Sequence, residues 1–188
     1  MLPRPSPRLC HFSAGEVGDW RIAKLVQIKG EGLPLAPRLS MTSAHVETAT
    51  AWALSGVTSN ERYVTRQEKV SLVEKQEALG RAQSTCAVLI PIKKTDAWWA
   101  MTQDERRDIL AAQSRHIDIG LRYLPAIARK LHHCRDLAMA QPFDFLTWFE
   151  FAPENAPAFC ELLEQLRATA EWQFVEREVE IHLEAVSG

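Results

Sequence analysis

WWAMTQDERRDILAAQSRHIDIGLRYLPAIARKLHHCRDLAMAQPFDFLTWFEF, residues 98–151, is the stretch whose reading decides the fold. Thr102 with Glu105 three residues on makes a capping box, which predicts a helix from there to about residue 123. Ile109, Leu110, Gln113, His116, Ile117 and Gly120 fall on one side of that helix. Pro125 disfavours helical geometry at Leu124 and lacks a backbone donor, so the helix is expected to stop there. Residues 127–136 then read as a strand, with Arg129, Leu131 and His133 on one face. The aromatic run at 143–151 reads as its hairpin partner.

His116 and Arg129 lie 13 residues apart in this stretch. On one straight helix they would stand roughly 20 Å apart on nearly opposite faces. A chain reversal at Pro125 lets both approach one cavity.

Working outward, residues 20–28 alternate as a strand, and a loop with Gly30, Gly32, Pro34 and Pro37 follows. Residues 45–54 form a second strand candidate, and 56–60 read as a turn. Thr65 and Glu68 make another capping box, opening a helix to about residue 79 with Gly80 as its stop. The apolar run 85–92 suits a buried strand, 153–169 a helix with Phe159, Leu162, Leu163 and Leu166 as its stripe, and 172–183 a closing strand. From residue 85 the order is βαββαβ, the split βαβ or ferredoxin-like arrangement. Residues 1–84 read as a degraded ferredoxin-like half (ββα) and 85–188 as the second half. The fold class is α+β, an antiparallel sheet with helices packed on it.

At 188 residues, 46% hydrophobic and 24% charged, the chain can bury a sizeable core. A net charge of −2 gives no reason to expect nucleic acid or an anionic membrane as partner. No run approaches 18 apolar residues, so no membrane span is expected. The prolines of MLPRPSPRLCHF interrupt what a signal peptide would keep apolar, which points to the cytoplasm. Cys10, Cys86, Cys134 and Cys160 form no CxxC pair and no CxxCH motif; buried free thiols are expected.

A lone inward histidine such as His116 is most often a satisfied core residue, yet neutral imidazole is also a natural axial ligand for haem iron. Such a ligand usually donates its second ring N–H to a carboxylate, and Glu171 is a candidate acceptor. Arg129 is costly on an inward strand face unless paired. Its bland reading is a salt bridge; its functional one is a hold on an anion. Trp98 and Trp99 beside Lys93 and Lys94 read either as a helix entrance with snorkelling lysines or as aromatic walls for a flat ligand. His132 and His133 point to opposite faces of a strand and make a weak metal motif.

IPIKKTDAWW, SRHIDIGLRYLPAIARKLHHCRDL and FDFLTWFEFAPE resemble the chlorite dismutase family of haem b proteins, most strongly from about residue 85 to residue 183. The short chain is similar to the family's compact branch, whose members are typically homodimers. By that resemblance His116 is the proximal iron ligand, Glu171 its hydrogen-bonded carboxylate and Arg129 the distal arginine. Lys94 falls near the haem propionates, Trp98 and Trp99 line the haem, and Gln76 hydrogen-bonds the arginine. The implied cofactor is non-covalent haem b. The implied reaction converts chlorite to chloride and dioxygen with O–O bond formation. The rival readings are a coproheme decarboxylase or peroxidase of the same superfamily, a haem carrier or sensor, and a ferredoxin-like dimer without cofactor. Arg129 favours chlorite over coproheme.

Overall fold

Residues 9–44, 49–58, 65–75 and 77–186 are described by the computed structural model. Strand β5 (Cys86–Lys94) is apolar on both faces because both are covered. Ala87 and Leu89 point into one core, and Val88, Ile90 and Ile92 into another. The antiparallel strand β7 (Phe145–Phe151) does the same, with Leu146 and Trp148 on one side and Phe149 and Phe151 on the other.

The first core is the inside of a closed barrel. Its strands are β1 (Leu9–Gly15), β2 (Trp20–Lys29), β3 (Arg38–Thr42), β4 (Trp52–Thr58), β5, β6 (Ala128–His133), β7 and β8 (Val175–Ala185). They are arranged β1-β3-β2-β8-β5-β7-β6-β4, with β4 returning to β1. Each half keeps one order: β4-β1-β3-β2 in the first and β8-β5-β7-β6 in the second. The long β2–β8 ladder, from Trp20↔Ala185 to Lys29↔Glu178, joins the halves on one side. A short β4–β6 ladder, Val57↔His133 and Thr58↔His132, joins them on the other.

Gly56 is needed at that short seam. A Cβ there would stand 2.7 Å from the Cβ of His132, closer than side chains approach. Trp148 fills the barrel centre, with Phe12 at 5.8 Å and Trp20 edge-on at 5.4 Å. Its indole N–H donates to Glu150, whose other oxygen accepts the Gly80 N–H, so the buried carboxylate is satisfied.

The second core lies outside the barrel, where the helices cover β5 and β7. These are α1 (Arg66–Lys75), α2 (Asp96–Ala100), α3 (Gln103–Asp108), α4 (His116–Arg122) and α5 (Ala156–Arg167). All four residues of the expected α5 stripe are buried, and Phe159 stacks on Phe151 at 4.7 Å. Both capping boxes form, at Thr65/Glu68 and at Thr102/Glu105. No described helix is long and apolar enough to cross a membrane.

Several expectations need correction: α1 ends at Lys75 and not near residue 79, and residues 172–174, read as the start of the closing strand, belong to a 3₁₀ turn. The N-terminal half holds two further strands, β1 and β3, in segments where no strand was expected. Both are short and abut proline-rich sequence, which hides their pattern; they pair with each other, β1 also with β4 and β3 also with β2. The second expected strand is shifted: β4 runs through Gly56, read as a turn, while residues 45–48 and 59–60 lie outside the described residues. The expected antiparallel sheet closes on itself into one barrel, a closure the sequence reading did not include. The helix expected from 102 to 123 is broken: α3 passes into a π-turn at Ile109–Gln113, and Arg115 is left-handed (φ 50°) before α4 begins. All four cysteines are unbridged, but Cys134 alone is fully buried and Cys160 is exposed.

His132 points into the barrel and lies edge-on to Phe12. A carbonyl can only accept, so Nδ1 carries the proton that bonds Leu146 O at 3.1 Å, and Nε2 is buried without a partner. Burial holds the imidazole down at about 4 against its ordinary 6.5; the Leu146 carbonyl works weakly against this and the Lys130 charge with it. The folded value lies below the unfolded one. Between pH 6.5 and 4, then, the unfolded chain binds the extra proton and stability falls as pH falls. Above 6.5 the contribution is fully present. The gap corresponds to about 3 kcal/mol. Urea unfolding across this range should give a flatter pH profile for His132→Phe; an unchanged slope would show that His132 is not buried neutral.

Candidate functional site

A cavity of about 170 Å³ opens between the outer face of β5, β6 and β7 and the covering helices. Ile90, Ile92, Leu131, Phe149, Leu163 and Trp172 supply apolar wall. His116, Glu171, Lys94, Arg129 and Trp98 line the same space.

The helix break aims His116. In the π-turn the Ser114 N–H reaches back to Ile109 O at 2.9 Å, adding a residue to the turn. Left-handed Arg115 then redirects the chain, so His116 opens a new helix instead of continuing the old one. Glu171 comes from a 3₁₀ turn, Ala170–Phe174, just before β8. Its backbone N–H donates to Ser114 Oγ at 2.9 Å, tying this turn to the break.

Glu171 is the hub. Oε2 lies 2.6 Å from His116 Nδ1, and Oε1 accepts from Lys94 Nζ at 2.7 Å. Burial alone would raise its carboxyl, but the charges and hydrogen bonds of His116 and Lys94 outweigh this and hold it down to about 2. An ionised carboxylate only accepts, so Nδ1 is the donor; in the neutral form of the ring the lone pair is then on Nε2. Lys94 is 3% exposed and stands 4.6 Å over the Trp98 ring. Its neighbour Lys93 points outward to Glu176 across a bulge in the β5–β8 ladder.

Arg129 projects from β6 into the cavity, and burial pushes its guanidinium below the usual arginine value while leaving it a cation. Trp98 is buried in the wall against Phe174. Trp99 stands one layer back, stacked on Phe145 with Arg135 4.0 Å over its ring. The structure thus brings together His116, Glu171, Lys94, Trp98 and Arg129; Gln76 lies outside the described residues. The ammonium expected near propionates is bonded to Glu171.

Two site residues escaped the sequence reading. Ser114 gave no signal, being one more serine in a helical pattern. Asp144 did: it is a buried acid inside an aromatic strand run. Its Oδ2 accepts from the Lys94 N–H at 2.7 Å and Trp99 Nε1 at 3.1 Å, fixing both residues from behind.

The donor set decides what the cavity can hold. Two histidines line it, His116 braced by a carboxylate and His133 on β6, and no group of three His, Cys, Asp or Glu capable of caging an ion occurs among the described residues. One carboxylate-braced imidazole, aromatic and aliphatic walls and one guanidinium suit a flat metal macrocycle with an open coordination position. Fold and site together define an α+β barrel protein whose enclosed pocket is built around one carboxylate-braced histidine.

The chain belongs to the chlorite dismutase family, whose model matches residues 34–185. It is similar to the dimeric chlorite dismutase of Nitrobacter winogradskyi, with 50% identity over 94% of this chain and 99% of that one and a TM-score of 0.87. Chlorite dismutase from Candidatus Nitrospira defluvii in complex with imidazole is 26% identical over 77% of this chain and 56% of its own, with a TM-score of 0.56. A variant of the enzyme from that organism shares the fold at 19% identity, over 97% and 93% of the two chains, with a TM-score of 0.66.

Removing either partner of the Glu171–Lys94 pair leaves the other charge buried. Glu171→Gln and Lys94→Met should each cost about 3 kcal/mol, and the double variant clearly less than the sum. Denaturant unfolding of the four proteins measures this; strict additivity would mean that the two groups are not coupled.

Proposed function

We propose that this chain is a haem b-dependent chlorite dismutase, converting chlorite to chloride and dioxygen. The observation that carries the reading is the braced imidazole of His116 in one apolar cavity with Arg129. Family membership and the 50% identity to a dimeric chlorite dismutase support the same chemistry and a homodimer. The absence of a CxxCH motif in the sequence favours non-covalent attachment.

His116 would hold the iron through Nε2. When bound, the haem supplies a metal that can accept an oxygen atom and give it back, which joining the two oxygens of chlorite requires. Glu171 keeps the Nδ1 proton in place and so fixes the tautomer and ring orientation. Lys94 shares the same carboxylate, drawing negative charge away from the histidine. Trp98 closes the wall, and Trp99 is positioned by Asp144 behind it. Arg129 attracts the anion and stabilises charge on the departing chlorine oxyanion, holding it for recombination. Gln76 is assigned as the arginine's hydrogen-bond partner. The balance, ClO₂⁻ to Cl⁻ and O₂, moves no net proton, so the site needs no general base. We also read residues 1–84 and 85–188 as two ferredoxin-like halves, a division that their shared strand order supports.

An oxygen electrode on haem-loaded protein should register dioxygen on addition of chlorite. Arg129→Ala should retain haem and lose roughly 10²-fold in kcat/KM. His116→Ala should bind haem more weakly. A haem complex that evolves no oxygen would remove the chlorite reading and leave a carrier or sensor; a full-strength Arg129→Ala enzyme would remove the arginine's role.

A further inference from the structure

His133 is the second histidine of the cavity, with a place on the sheet side that His116 does not share. It projects from β6 on the same face as Arg129 and Leu131, while its neighbour His132 points into the barrel. The ladders fix its place on the cavity floor. His133 pairs with Phe145, which pairs with Ile92, so these three form one row across the sheet. Leu131, Thr147 and Ile90 form the next row, and Arg129, Phe149 and Val88 the one after. His133 and Arg129 thus stand about 13 Å apart along the strand. Because β5 and β6 both run antiparallel to β7, Lys94 continues past the His133 row, away from Arg129. The floor is therefore graded, with a guanidinium at one end, Leu131 and Ile90 in the middle, and an imidazole and an ammonium at the other.

Haem b has the complementary grading: most of its rim is apolar, and two carboxylates hang from one edge. A carboxylate entering this cavity loses water and must be met by donors. Lys94 already gives a hydrogen bond to Glu171, which offsets its charge. His133 supplies a further donor two strands across, about 10 Å away. It is 3% exposed, its Nε2 is buried, and its ring stands edge-on to Phe145 at 4.9 Å. Phe145 in turn stacks on Trp99, so the imidazole is backed by a fixed aromatic pair. We propose that His133 is a cofactor-binding residue, donating an N–H to a haem carboxylate at the end of the cavity opposite Arg129. This rests on the reading of the cavity as a haem site. Spacing on β6 then separates two roles: Arg129 meets the small anion at the metal, and His133 meets the acidic edge of the ring. His116 approaches from α4, so the cofactor is held from the helix side and the sheet side together.

The test titrates haem and its dimethyl ester, in which both carboxylates are esterified, into wild type, His133→Phe and His133→Gln, following the Soret band. His133→Phe keeps an aromatic ring and loses the donor. It should bind haem about tenfold more weakly, the scale of one lost charge-assisted hydrogen bond. With the dimethyl ester the same substitution should change affinity by less than about twofold. His133→Gln restores an N–H donor and should recover most of the haem affinity. An equal loss with both porphyrins, or none with either, overturns the assignment, because a change of pocket shape is blind to esterification. A crystal structure of the haem-loaded wild type decides without any variant. A haem carboxylate in hydrogen-bond contact with His133 supports the proposal; a carboxylate edge turned away from β6 overturns it. Wild type with no Soret shift for either porphyrin overturns the haem reading and this proposal together. Should haem bind with the expected carboxylate dependence yet chlorite release no oxygen, the chlorite reading fails and His133 keeps its role.

Discussion

The buried carboxylate of Glu171 is the constraint on which the site depends. It is 6% exposed and carries a full negative charge, a state tolerable only because His116, Lys94 and their hydrogen bonds surround it. Glu171 and these two partners come from three separate elements: a 3₁₀ turn, a strand end and a helix start. Satisfying one charge therefore fixes the relative positions of β5, α4 and the approach to β8. Ser114 adds a third tie by accepting the Glu171 backbone N–H. The imidazole is consequently held at Nδ1 by a group that cannot leave without stranding an ammonium.

A sheet with two working faces makes such a site affordable. The inward residues of β5 and β7 share the barrel core with Phe12, Leu39 and Trp52, contributed by the first half. This leaves the outward face free to be shaped by function. On it, Phe149, Phe151 and α5 form a dry layer, while Lys94 and Arg129 are admitted at the cavity. Burying cations beside aromatic walls would be costly in a protein with one core only. Here the barrel interior supplies stability on its own side of the strands.

Much of this was legible in the residues, and the exceptions have physical causes. Capping boxes are local, reciprocal side-chain bonds, so Thr65/Glu68 and Thr102/Glu105 could be read directly. The α5 stripe and the β6–β7 hairpin obey simple periodicities. Barrel closure was invisible because it depends on ladders between distant residues, such as Trp20 with Ala185. The break before His116 was invisible for another reason. It uses neither Gly nor Pro but an arginine forced left-handed, held by the Ser114–Glu171 contact 57 residues apart. Of the site itself, the types of His116, Arg129 and Glu171 were readable. The sharing of Glu171 between His116 and Lys94 was not, since periodicity carries no information on which face meets which.

That break also changes how His116 and Arg129 are related. Pro125 was expected to be the whole reason that both could meet, by reversing the chain between them. The structure places a second turn ahead of the histidine, so α4 is a short strut with a bend at either end. His116 stands at its first residue. The strut cannot rotate freely, because His116 is bonded to Glu171. Its N-terminal end is anchored through Glu171 to Lys94 on β5, and β5 and β6 are both neighbours of β7. The two residues are thus coupled through a closed loop of elements: β6 to β7, β7 to β5, β5 to Glu171, and Glu171 to α4. A histidine and an arginine so linked present a fixed geometry to whatever lies between them, which suits a reaction that must retain a fragment long enough to recombine it.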